Sequence, residues 1–292
     1  MGVTFSQFFP PNPTLTEENI TPLIGKVFIV TGGNSGVGLE IVKILYSKGG
    51  TVYVAGHSAD KIAAEIETVK SISPDSIGIL KSLIVDLSDL STVPACASSF
   101  LAQESRLDVL FNNAGVSRRP AGSTSAQGHE LHMATNCLGP FLFTKLLLPI
   151  LIRTAKSSPQ ASVRVVFASS GIIELLGPHG GLELSELVPG NFSEDPNRNY
   201  SASKAGDWFL ASEFDKRVRK DGVLCAAQSP GTLKTKGWDA VSWAERALIS
   251  LVWHEPKMGC VFFVVSAFLI LPRYVNNTNS MCKEHIQGCG QV

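Results

Sequence analysis

The chain has 292 residues, 44% of them hydrophobic and 17% charged, enough to bury a large core and too apolar for a disordered protein. Its 25 lysines and arginines are matched by 25 aspartates and glutamates, which excludes the long-range positive field of a nucleic-acid or anionic-membrane binder and leaves a small molecule as the expected partner. Six cysteines (Cys96, Cys137, Cys225, Cys260, Cys282 and Cys289) stand without a CxxC pair or a neighbouring histidine cluster, so no metal site is indicated and free thiols in a reducing, cytoplasmic setting are expected.

Residues 1–22, which include Phe5, Phe8, Phe9, Pro10 and Pro11, form a poorly patterned arm without the basic start and apolar core of a secretory signal. From residue 26 two periodicities alternate. The β-branched run Val27, Phe28, Ile29, Val30 reads as a strand that ends in Thr31 and the glycine-rich turn Gly32 to Gly36. Val37, Ile41, Ile44 and Leu45 recur at helical spacing until Gly49 and Gly50 stop the helix. A second strand follows at 52–55, then a helix marked by Ile62, Ala63, Ile66 and Val69, and a third strand through Leu83, Ile84 and Val85 leading to Asp86. Leu90, Val93, Ala97 and Leu101 fit another helix. The fourth strand, 107–111, runs into Asn112, Asn113, Ala114 and Gly115; a long helical region over 127–153 precedes a fifth strand at 163–167, and a sixth is expected at 223–227. Residues 259–271 are very apolar but fall short of the ~20 needed to span a bilayer, so they read as a buried helix with no membrane span.

Strands separated by single helices require parallel crossovers, which are right-handed almost without exception. The expected fold is therefore α/β, a Rossmann-type doubly wound parallel sheet forming one domain over 23–272, with its ligand at the carboxyl ends of the strands. Gly32, Gly36 and Gly38 follow the first strand and open the first helix, where backbone amides can hold a pyrophosphate that side chains would block. Asp86 can accept from an adenine amino group, and Asn113 to Gly115 allow close backbone contact with an adenosine. A surface aspartate and a simple turn are the plain alternatives.

Thr31-Gly32 with Gly36 and Gly38, Asn112-Asn113-Ala114-Gly115, Tyr200-Ser201-Ala202-Ser203-Lys204, and Pro230-Gly231 with Thr235 occur in this order. Together they resemble the short-chain dehydrogenase/reductase family over about residues 24–270. The Asn34-Ser35 turn is similar to that of fungal members, many of which serve secondary metabolism. The resemblance implies interconversion of a carbonyl and an alcohol on a small molecule by hydride exchange with a nicotinamide dinucleotide. It also implies dinucleotide contacts from Ser35 and Val37 in the glycine-rich turn and from Leu233 and Thr235 near the end.

Such chemistry needs a proton delivered to an oxygen as charge develops there, and Tyr200 is the expected donor. A phenol with its ordinary pKa near ~10 requires a neighbouring cation to work at neutral pH. Lys204, four positions on along a helix, shares the face of Tyr200 and reaches the ribose hydroxyls as well. Tyr46, Tyr53 and Tyr274 are followed at the same spacing by Gly50, His57 and Thr278, so Tyr200 alone has its cation. Ser169 and Ser170 close the fifth strand, and the resemblance makes Ser170 the hydroxyl that orients the substrate oxygen, with Ser169 as the structural alternative. Asn136 matches the family's helix asparagine that holds a water in the proton relay; an asparagine bonding nearby backbone is the alternative. Lys145 falls where relatives often carry a basic residue, or else is simply solvated.

Dinucleotide choice is read after the second strand, where an acid would bind the free ribose hydroxyls of NAD and repel a 2′-phosphate. Ala55, Gly56, His57 and Ser58 stand there, and His57, Ser58 and Lys61 can contact a phosphate, so NADP (NADPH) is expected over NAD. Two features depart from the family pattern. Ser170 and Tyr200 are 30 positions apart, about twice the separation in compact members, so 171–199 contains an insertion able to cover the substrate, with His179 as a contact or a solvated loop histidine. The tail 273–292 lacks the expected closing strand, which bears on the substrate floor and on the homo-oligomers that relatives form through late helices. Two rival readings are a dinucleotide-binding sensor or scaffold without turnover, and a membrane-associated lipid or retinoid dehydrogenase.

Overall fold

Among the described residues six strands, β1 (Val27–Thr31), β2 (Thr51–Gly56), β3 (Ile79–Ile84), β4 (Val109–Asn112), β5 (Val163–Ala168) and β6 (Val223–Gln228), pair in parallel in the order β3-β2-β1-β4-β5-β6. This is the expected doubly wound Rossmann-type sheet. The computed structural model describes residues 16–231; Leu233, Thr235, residues 259–271 and the tail 273–292 lie outside the described residues. The chain winds outward from β1 to β3, returns to β4 and winds outward again to β6, so the sheet order reverses between β1 and β4. At that point the loops after the two strands diverge and leave a crevice at their carboxyl ends.

Helices cover both faces, which is why the central strands read as continuous apolar runs rather than alternating ones. Phe28, Val30, Val52, Val54, Val109 and Phe111 point to one face and pack against Ile41 and Leu45 of α1 (Gly36–Ser47) and Ile62 and Ile66 of α2 (Ala59–Ile72). Ile29, Tyr53, Leu110, Val165 and Phe167 point to the other, against Phe100 of α3 (Thr92–Gln103), Phe143 and Leu147 of α4 (Leu131–Lys156), and Phe214 of a later helix. α4 is long and apolar enough to cross a membrane by length and composition, yet 56% of its most apolar window is buried within the protein. It is a core helix.

The strand β3 begins and ends earlier than its apolar run suggests, and Asp86 lies two residues beyond it. The reason is its place at the sheet edge. Its register, from Thr51 with Ile79 to Gly56 with Ile84, is set by backbone pairing to β2, while Ile79 and Ile84 remain exposed. Within α4 the segment Ala134–Leu138 is a π-helical turn, a local widening that often accompanies functional positions. The inserted region holds a short helix, α5 (Ile173–Leu176), and a single 3₁₀ turn at Leu184–Leu187. After it α6 (Pro196–Val218) starts with Asp195, whose side chain accepts from Asn197 N, and with Pro196, whose missing N–H and fixed φ suit a first helical turn. Gly206 of α6 admits the Cys137 side chain; a Cβ there would lie 2.5 Å from Cys137 Sγ, so this glycine lets α6 seat closely on the π turn.

Candidate active site

The glycine-rich turn is built by backbone demands. Gly32 and Gly36 take φ values of +65° and +54°, a region that costs an L side chain about 1 kcal/mol or more. Gly38 is required for a different reason: a Cβ there would stand 2.3 Å from Gly32 O and 2.5 Å from Asn113 Nδ2. Nothing lies within 4 Å of the direction a Gly36 side chain would take, so the turn presents its backbone to the crevice at the start of α1. Ser35 occupies the N-cap position of that helix without capping it, and Val37 is half-buried beside it.

Thr31 ties this turn to the one after β4. Its hydroxyl donates to Phe111 O and accepts from Asn113 N at 3.0 Å and Ala114 N at 2.9 Å, while Asn113 Nδ2 donates to Thr31 O. The side chain of Asn113 therefore braces the two turns against each other, and what it offers a ligand is backbone. Asp86 binds Ser88 N and Oγ through Oδ1; Oδ2 takes no hydrogen bond found among the described residues. His57 and Lys61 are exposed just after β2, and Gly56 lies against Asn34 Oδ1, which puts the end of β2 beside the glycine turn.

The other side of the crevice is made by β5 and α6. Tyr200 and Lys204 stand one turn apart on α6, Tyr200 half-buried and Lys204 5% exposed. The Lys204 ammonium donates to Ala168 O at 2.7 Å and to Asp207 Oδ2 at 2.9 Å. Ser169 is buried and donates to the Lys204 carbonyl, whereas Ser170 is half-buried and its oxygen only accepts from Ile172 N. Of the two hydroxyls, then, Ser170 is the freer to meet a ligand. Asn136, in the π turn, accepts from Val116 N at 2.7 Å and donates to Val116 O and Ser203 Oγ. It clamps the loop after β4 to α6. A Cβ on Gly115 would lie 3.2 Å from Asn136 Oδ1 and 3.3 Å from Lys204 Nζ, so these groups converge at one spot.

Of the other expected residues, Lys145 and His179 are exposed and take no ion pair or hydrogen bond found among the described residues. Two partners escaped the sequence reading. Asp207 is the buried companion of Lys204, legible only as an acid three positions after a lysine on a helix, a common surface spacing. His132 is fully buried, binds Glu130 through Nδ1 at 2.7 Å, and sets its ring edge-on to Tyr200 with centroids 5.9 Å apart.

A side-chain-free cradle at the switch point of a parallel sheet, facing a phenol and a buried lysine, belongs to the α/β oxidoreductases that act on a bound dinucleotide. Residues 26–180 match the short chain dehydrogenase family. A short-chain dehydrogenase/reductase of Pestalotiopsis fici is 44% identical over 273 residues, covering 90% of this chain and 82% of its own. Another, from Emericella nidulans, is 43% identical over 249 residues, covering 85% and 79%. The chain belongs to the short-chain dehydrogenase/reductase family and is an NAD(P)-dependent oxidoreductase. Among solved structures, Pseudomonas aeruginosa RhlG, determined as an NADP active-site complex, shares the fold with a TM-score of 0.67 at 23% identity, over 86% of this chain and 93% of that one.

Proposed function

We propose that the protein interconverts a carbonyl and an alcohol on a small molecule with NADP(H), using Ser170, Tyr200 and Lys204. The observation that carries the reading is the Lys204 ammonium, buried at the end of β5 and one helical turn from Tyr200, where a structural lysine would be in solvent. The cradle formed by Gly32, Gly36 and Gly38 fits a pyrophosphate, the open backbone of Asn113 to Gly115 fits an adenosine, and Asp86 Oδ2 fits an amino group. When bound, the nicotinamide supplies or receives the hydride.

Tyr200 gives its phenolic proton to the substrate oxygen in reduction and takes it back in oxidation. Lys204 stabilises the phenolate through its positive charge and reaches the ribose hydroxyls. Ser170 donates to the same substrate oxygen and holds it between the phenol and the hydride. Asn136 keeps the loop after β4 seated on α6, so that Gly115 and Lys204 stay together. NADP is favoured over NAD because residues 55–58 at the end of β2 include no acid, while His57 and Lys61 are exposed there.

The test is Tyr200→Phe, which keeps the ring and removes the transferable proton. It should fold and bind NADPH normally while kcat falls by roughly 10²-fold or more. Lys204→Met should damage both cofactor affinity and turnover, and Ser170→Ala chiefly turnover. Near wild-type turnover by Tyr200→Phe refutes the mechanism. A wild-type protein that binds NADPH tightly yet is inert toward a broad panel of carbonyls and alcohols would instead be a dinucleotide sensor.

A further inference from the structure

Lys204 is held by a residue to which no role has been given. Asp207 is 2% exposed, and its Oδ2 lies 2.9 Å from the Lys204 ammonium, itself anchored on Ala168 O. A carboxylate this deep costs several kcal/mol unless it is paired, and a hydrophobic residue at the same position would serve packing as well or better. The acid therefore does something packing does not require. It converts the cation beneath Tyr200 into a neutral pair with a fixed direction.

We propose that Asp207 is a positioning residue acting through Lys204: it fixes the ammonium against the Ala168 carbonyl, and its negative charge keeps the proton-transfer midpoint of Tyr200 higher than the lysine alone would set it. This rests on the assignment of Tyr200 and Lys204 above.

The surroundings leave Asp207 as the charge that tempers Lys204. On α6 its charged or titratable neighbours are Lys204 and Tyr200. From the π turn Cys137 faces the pair, but burial raises its thiol far above the ordinary range, so it stays protonated and uncharged. At the start of α4, His132 meets Tyr200 and is bound to Glu130. β5 presents the Ala168 carbonyl, the titratable group of β6 is Cys225, which faces Asp215 and Arg219, and Glu174 of α5 is exposed. Burial pushes the Asp207 carboxyl up to about 7 against the pull of Lys204. For Lys204, burial disfavours the ammonium, but Asp207 and Tyr200 outweigh it and raise its pKa. In the alkaline range where a phenol titrates, both members of the pair are charged.

Seven residues of helix separate Asp207 from Tyr200 by about 10 Å, and at an effective dielectric constant of about 20 one unit charge at that distance moves a titration by about one pH unit. The experiment is a near-ultraviolet phenolate titration of the full chain with NADP⁺ bound, with the Tyr200→Phe signal subtracted so that Tyr200 is read alone. Asp207→Asn should lower the midpoint by about one unit, and Asp207→Glu should restore most of it. An unmoved or raised midpoint in a folded Asp207→Asn protein overturns the proposal. Should that variant fail to fold, Asp207→Ser, which likewise removes the charge and leaves Lys204 in place, is titrated instead: a midpoint about one unit below that of the wild type supports the proposal, and an unmoved or raised midpoint overturns it. Turnover surviving in Tyr200→Phe defeats the proposed function instead, and the phenolate titration is read independently of it.

Discussion

Replacing Gly36 and Gly38 by alanine separates two roles that one glycine-rich turn combines. At Gly38 the new Cβ would meet Gly32 O at 2.3 Å and Asn113 Nδ2 at 2.5 Å. Carbon contacts become favourable only near about 3.5 Å, so α1 must move by roughly 1 Å from the turn it packs on. That motion strains the bonds of 2.9 to 3.0 Å joining Thr31 to Asn113 and Ala114. Overpacking of this kind costs about 2 kcal/mol, or roughly 4–8 °C in Tm for a chain of this size. At Gly36 the methyl meets nothing, and the positive φ costs about 1 kcal/mol net of the lower entropy of the unfolded alanine chain. Gly36→Ala should thus melt within about 3 °C of wild type. Its methyl nevertheless projects where a pyrophosphate would approach, and NADPH affinity should fall at least about tenfold, about 1.4 kcal/mol. Thermal melts and cofactor-fluorescence titrations of the two variants test this directly. Unchanged NADPH affinity in Gly36→Ala would show that the turn is not the phosphate cradle, and unchanged Tm in Gly38→Ala would show that the close approach to Gly32 does not constrain the fold.

NADPH should bind more tightly than NADH, and His57→Ala with Lys61→Ala should narrow the gap by roughly fivefold per lost phosphate contact; equal affinities in the wild type would end that assignment. The inserted region is tethered by Arg198 to Glu186 at 2.5 Å and by His129 Nδ1 to Leu187 O at 3.0 Å. Shortening residues 177–191 to a brief turn should therefore raise KM or erase substrate selectivity with cofactor Kd nearly unchanged, and a collapse of cofactor binding would make the segment scaffold. Burial pushes the Cys96 thiol up to about 12 and raises Cys137 and Cys225 as well, and a raised thiol keeps its proton until the pH approaches that value. Between pH 7 and about 9 these three should resist iodoacetamide in the native protein and react on unfolding, as peptide mapping would show; rapid native labelling would contradict their burial.

The sheet and its order of elements were legible in the sequence because each central strand is a run of apolar residues and each helix carries a 3.6-residue stripe, signals that depend on local chain geometry. Gly32, Gly36, Gly38, Tyr200 and Lys204 were legible for the same reason: a turn needing bare backbone and a pair sharing a helix face are short-range facts. The limits of β3 were not, since an edge strand is defined by its neighbour's hydrogen bonds rather than by burial. Nor could local pattern separate Ser169 from Ser170. Only the packing of α6 on β5 gave Ser169 a carbonyl to bind and left Ser170 turned outward. Asn136 looked like a relay residue or a backbone clamp, and the π turn joined it to Val116, twenty positions earlier, and to Ser203. Asp207 is the sharpest case: lysine and aspartate three apart usually share a solvated surface, and it is the burial of that face against β5 and the π turn that turns an ordinary spacing into a charge pair beneath the candidate proton donor.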